Sequence, residues 1–234
     1  MSNRKLSVHK EHELLQKLED AGMNEELAQA VIESRGNKLA KGVVAFIANG
    51  GSIVGAVTPD IRSAQLFRLI QLGYPEAAGM TKEAFTKLIP VPEDKEGALL
   101  VVPANIISID KQMKLVGGTN YFSLEALRDL VNTPKTPYWI YGVENGKAML
   151  GKSPDTCVKD FAKQGRRGLT AIEGINLVAQ YPDVLKDHYI DLPGSRYGVS
   201  RVPYLGLDDG GSGLYYDGLS SSASSYCGSA SCGS

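Results

Sequence analysis

Cysteine is scarce: three residues in a chain of 234 are too few for a disulfide framework. Cys157 stands alone in an expected helix, where a small apolar filler suffices. Cys227 and Cys232 supply only half the ligands of a structural zinc site, with no histidine near them. Histidine is equally rare, and after His12 only His188 remains. His9 and His12, with Glu11 and Glu13, lie at helical spacing but read as a solvated helix end rather than a metal site. An excess of one charge is missing too. The 25 Lys and Arg against 26 Asp and Glu give a net charge of -1, which removes the electrostatic reason to expect non-specific nucleic-acid binding or attraction to an anionic membrane. No apolar run approaches the roughly 20 residues of a membrane-spanning helix, and the opening MSNRKLSVHKEHELL is charged where a signal peptide would be apolar. The expectation is a cytoplasmic protein without a bound metal or cofactor.

What is present divides the chain. Residues 1–50 carry apolar positions at helical spacing, broken at Gly22 and Gly36: Leu14, Leu15 and Leu18, then Leu27, Val31 and Ile32, then Leu39, Val43 and Ile47. This predicts a three-helix module whose outline resembles the ubiquitin-associated-like bundle, and that resemblance implies a protein partner for these helices. NGGSIVGAVTPD is rich in glycine and lacks a helical stripe, so residues 51–59 read as a linker.

Residues 60–218 predict an α+β domain with a mixed or antiparallel sheet and several short helices. Helices are expected from Asp60 to Gly73, after Thr81, after Ser123, from Ser153-Pro154 to Gly165, and from Thr170 to Tyr181. Thr170 and Glu173 have the spacing of a capping box. Strands are expected at Ala98–Val102, Met113–Val116, Tyr138–Val143, Lys147–Leu150, Tyr189–Leu192, Val202–Leu207 and, as a last edge strand, Leu214–Tyr216. Residues 219–234, Leu219 followed by SSSASSYCGSASCGS, are too polar and small-sided to build a core alone and predict a disordered tail.

Five pieces, LGYPEAAGM, LVVP, GR..LT..EGI, P.VL and GSR.G..RVP, occur in that order across about residues 60–207. In them the chain resembles a bacterial family known only as a domain of unknown function. The resemblance implies no activity. The three-helix front, the Ser/Gly/Cys tail and Arg167-Gly168 depart from that pattern.

Two constellations invite chemistry. The loop Gly194 to Arg201 joins glycines, which allow close backbone approach, to arginines, whose forked donors suit carboxylate or phosphate. Arg166, Ser195, Arg196 and Arg201 are therefore candidate ligands for an anionic small molecule or an acidic protein segment, with capping and internal ion pairs as the structural alternative. Residues 146–153, GKAMLGKS, fit the written phosphate-loop pattern G-x-x-x-x-G-K-[ST], which makes Lys152 and Ser153 the alternative, a nucleotide- or phosphate-handling enzyme. Ser195 as a nucleophile needs a base, and only His188 is near in sequence. The balance favours a non-enzymatic binding protein.

Overall fold

The computed structural model describes residues 61–208, 211–220 and 224–233, with Glu13, Gln16 and Gln29 besides. The chain divides into two units, Met1–Thr58 and Pro59–Ser234. The expected three-helix module and linker lie outside the described residues. The second unit is a mixed α+β fold.

Its first three helices are α1 (Ile61–Gln71), α2 (Tyr74–Ala77) and α3 (Lys82–Leu88). Thr81 begins α3 by accepting the Ala84 amide on its hydroxyl, which satisfies one of the four donors a helix start leaves open. Strand β1 (Leu99–Val101) pairs antiparallel with β4 (Tyr138–Ile140). Both faces of β1 are buried. Leu99 and Val101 face one apolar cluster, while Leu100 and Val102 face the second, with Leu69, Tyr74 and Phe85.

Met113 belongs to a helix, α4 (Ile109–Leu115), not to the expected strand. A short apolar run is ambiguous between the two forms. Here Ser108 accepts the Lys111 amide and starts a helix that buries Gln112 and Met113. After β2 (Gly118–Asn120), the expected helix behind Ser123 is reduced to one 3₁₀ turn, Leu124–Ala126, because the chain then extends into β3 (Leu127–Asp129). β3 pairs with β7 (Ser195–Tyr197), and that pairing holds its backbone extended. The expected strand at Lys147 is likewise a 3₁₀ turn, Lys147–Met149.

Helix α5 (Pro154–Lys163) starts as its Ser-Pro signal predicts, and β5 (Arg166–Gly168) leads to α6 (Ala171–Gln180). Both halves of the capping box are present: the Glu173 amide bonds Thr170 Oγ1, and the Thr170 amide bonds Glu173 Oε2 at 2.8 Å. Every residue from Ala171 to Ala179 is buried, so α6 is the central helix of the fold. Short helix α7 (Val184–Asp187) follows.

The main sheet has seven strands. β8 (Arg201–Asp208) and β9 (Gly211–Gly218) form a long hairpin; β8 also pairs with β6 (Tyr189–Asp191) and β7, and β9 pairs in parallel with β2. The expected edge strand Leu214–Tyr216 is therefore an inner strand. Ile190, Leu192, Leu205 and Leu214 belong to the same apolar cluster as Ile175 and Val178 of α6.

The tail is the largest correction. β10 (Cys227–Ser229) runs parallel to β6, and β11 (Ser231–Gly233) runs antiparallel to β5. Ala230 and Cys232 are fully buried between them. Small side chains cannot build a core of their own, but they fit where two strands already offer free edges and little space. Backbone pairing supplies what side-chain bulk does not.

Candidate functional site

The four residues expected to hold an anion have separate partners. Arg166 donates to the Gly142 carbonyl at 2.7 Å and twice to Ser231 Oγ, clamping β11. Ser195 is buried; its Oγ accepts the Ala171 amide at 2.8 Å and donates to Asp129 Oδ1 at 2.5 Å. Arg196, also buried, donates to the carbonyls of Pro193 and Ser195. Arg201 is exposed and lies over the Tyr216 ring, 4.8 Å from its centre. The donors of Arg166, Ser195 and Arg196 are engaged within the fold while Arg201 lies exposed on a tyrosine ring, and no convergence on one ligand appears among these contacts.

The phosphate-loop pattern is similarly occupied. A phosphate cradle needs free backbone N–H groups. In this loop the amides of Lys147, Met149, Leu150, Gly151 and Lys152 all donate to protein oxygens, those of Gly151 and Lys152 to Ser224 and Met149. The Lys152 ammonium pairs with Asp160 at 3.0 Å, and Ser153 Oγ caps α5. A side chain on Gly146 would strike the backbone of Gly228, so this glycine is required for packing against the tail strand.

A different site is built on the face of the main sheet turned away from α6. Side chains alternate along a strand, so with Ile190 directed to the core, Tyr189 and Asp191 share the opposite face of β6. Across the sheet Asp191 is paired with Tyr204, and Tyr204 with Tyr215, two residues before Asp217. The tyrosine rings form a continuous stack: Tyr121 on Tyr215 at 4.7 Å, Tyr215 near Tyr204 at 5.3 Å, and Tyr204 near Tyr189 at 6.1 Å. Two strand glycines make room for it. A Cβ on Gly213 would collide with the Tyr215 ring, and one on Gly206 would lie 3.3 Å from the Tyr189 ring.

At the Tyr189 end of the stack lies a cavity of about 370 Å³. Asp191, Tyr189, Tyr204 and Asp217 line it from the sheet, Tyr226 and Cys227 from the tail, and Lys152 and Pro154 from the start of α5. Asp191 is only 6 % exposed. Among the described residues, its carboxylate accepts no hydrogen bond and pairs with no cation, although its backbone oxygen accepts the Ala230 amide. Burial, reinforced by the field of Asp217, pushes this carboxyl up to about 7. Burial followed by the same acidic field also raises the Tyr204 phenol, and burial with Asp191 raises the Cys227 thiol.

His188 lines the same cavity and is buried. Its Nε2 lies 2.9 Å from the Asn145 carbonyl oxygen, which only accepts, so Nε2 carries a proton and donates it there. Nδ1 has no partner. Sequence reasoning missed Asp191, Asp217 and the tyrosines because they come from three separate strands and a segment read as disordered. The available signal was the alternation in Tyr189-Ile190-Asp191-Leu192, which sets an aspartate beside an aromatic on one face of an apolar strand.

Among the described residues no three His, Cys, Asp or Glu side chains are grouped to hold a metal ion, and no helix is long and apolar enough to cross a membrane. Fold and cavity together define an α+β domain with one partnerless buried carboxylate at a tyrosine-lined site. The chain belongs to a family of unknown function, DUF5701, whose model matches residues 68–228. That match takes in β6, β8, β9 and Cys227 of the tail. No curated protein and no solved structure matches the chain.

Proposed function

We propose that this domain is a ligand-binding module and that its ligand seats against Asp191 in the tyrosine-lined cavity. The observation that carries the reading is the partnerless carboxylate. The carboxylate faces the cavity with none of its lone pairs taken by the protein, so they are open to the donors of a ligand. A binding role is favoured over nucleophilic chemistry by the side chains nearby. The Cys227 thiol is held protonated by burial and by Asp191, and Ser195 is fully buried against Asp129. The three-helix module at residues 1–50, with a protein partner of its own, remains part of this proposal.

Thermal melting of the full chain against a panel of anionic, neutral and cationic small molecules tests the reading. At least one class is expected to raise the melting temperature of the native protein and to leave Asp191→Asn unmoved. Equal shifts in both proteins for every active compound would remove the cavity from consideration.

A further inference from the structure

We infer that the ligand of this cavity is an organic cation bearing N–H donors, a primary ammonium or a guanidinium. The inference rests on the binding reading above and names the chemistry the same site selects.

Three observations converge. The first is an imbalance between acceptors and donors. The Asp191 carboxylate offers about four lone-pair sites, none of them used among the described residues. Asp217 contributes a second carboxylate, whose Oδ1 takes only its neighbouring Gly218 amide. The second is the absence of compensating charge. Lys152 and Lys186 also line the cavity, but Lys152 is held by Asp160 at 3.0 Å and Lys186 by Asp183 at 2.7 Å, and neither pairs with Asp191. The third is the wall itself: Tyr189, Tyr204 and Tyr226 present aromatic surface, which attracts a cation by its negative ring face and accommodates an alkyl stem.

Alternatives fit less well. An anion would face two carboxylates. A divalent metal finds no third ligand grouped with them among the described residues. A quaternary ammonium satisfies the rings but donates nothing to Asp191. An N–H cation satisfies charge, acceptors and rings together. Its source is either a free amine or the end of a lysine or arginine side chain, and the two share this chemistry.

Calorimetric titration of the full chain decides. The probes are butylammonium, agmatine, choline, acetate, inorganic phosphate and glycerol, with a short lysine- and arginine-bearing peptide blocked at both ends. Butylammonium or agmatine is expected to bind at least about tenfold more tightly than choline, the worth of one charged hydrogen bond. Asp191→Asn should abolish that preference. Tyr226→Ala, at a side chain 72 % exposed and so free of folding consequences, should weaken binding severalfold. A peptide that outbinds the free amines assigns the source to a protein partner, and the reverse order assigns it to a small metabolite; either supports the cation. Choline, glycerol or an anion binding most tightly overturns the ligand class while leaving the binding reading standing. No binding by any probe, with a melting panel also silent, overturns both.

Discussion

Arg167 grips Glu173 with two parallel hydrogen bonds, Nη1 to Oε2 at 2.8 Å and Nη2 to Oε1 at 2.7 Å, while the glutamate side chain is wholly inaccessible to solvent. Tyr138 Oη and the Thr170 amide complete its shell. The same carboxylate thus caps α6 and ties β5 and β4 to its start. Burial alone would disfavour the Arg167 charge, but the hydrogen bonds and field of Glu173 outweigh it and raise the guanidinium pKa. Removing the arginine should leave a buried, uncompensated carboxylate. Arg167→Met is expected to lose about 3 kcal/mol in urea unfolding, and Arg167→Met with Glu173→Gln should recover much of it. A single variant as stable as the native chain would show the pair to be dispensable.

The glycines of this region make a second prediction. A Cβ on Gly168 would lie 2.6 Å from Pro193 Cγ and 2.7 Å from the Gly194 nitrogen, and one on Gly194 would strike the Gly168 carbonyl oxygen. Two backbones meet here at contact distance, so the glycines serve approach of chain to chain. Gly198 is different: its φ is +62° and nothing lies within 4 Å of an added Cβ. Gly198→Ala should cost roughly 1 kcal/mol, the left-handed penalty, whereas Gly168→Ala and Gly194→Ala should each cost about 3 kcal/mol or more. Chemical denaturation of the three variants checks the ranking, and similar losses at all three would refute the contact argument.

The contrast explains what could be read from the chain. Signals that act within four residues were legible: the Thr81 cap, the Ser153-Pro154 start, and the Thr170 and Glu173 box all appear where expected. Elements decided by distant partners were not. Leu127–Asp129 is a strand because β7 pairs with it, whereas the Ser108 cap ahead of Met113 was a local signal that the apolar run Met113–Val116 obscured. The cavity was illegible for the same reason. Asp191, Asp217 and Tyr226 are far apart in sequence, and only the pairing of β6, β8 and β9 brings the first two onto one face. Arginine beside glycine suggested an anion, yet Arg166 and Arg196 bind backbone carbonyls, a use of the same donors that composition cannot distinguish.

The Asp191 carboxyl predicts an unusual pH dependence. Its pKa in the fold, about 7, lies above the ordinary value of 3.8. Between those values the unfolded chain releases a proton that the folded chain retains, so this group's contribution lowers stability as pH rises from about 4 to about 7. Its penalty is then constant at higher pH. Asp191→Asn should therefore be more stable than the native chain at pH 8, with the advantage shrinking toward pH 4.5. Urea midpoints of both proteins across this range measure the difference. A gap that does not change with pH would contradict the raised carboxyl.

The tail carries the last prediction. Its amides are engaged in pairing that links three elements: Ala230 N–H reaches the Asp191 carbonyl at 2.9 Å, Leu169 N–H reaches the Ala230 carbonyl at 3.0 Å, and Glu144 exchanges bonds with Ser231 on the other edge. Polar, small-sided composition alone would leave such a segment free and fast to exchange. Hydrogen–deuterium exchange should instead find residues 227–233 protected to an extent comparable with β6, because opening them requires breaking both β5 and β6 pairings. Ending the chain after Tyr226 should expose the β5 and β6 edges, uncover the core beside Leu169 and Ile190, and remove Cys227 from the cavity. The expected outcome is a lower, broader melting transition. Rapid exchange throughout 227–233, with a truncated chain as stable as the native one, would return the segment to the role its composition suggests and leave the cavity without its outer wall.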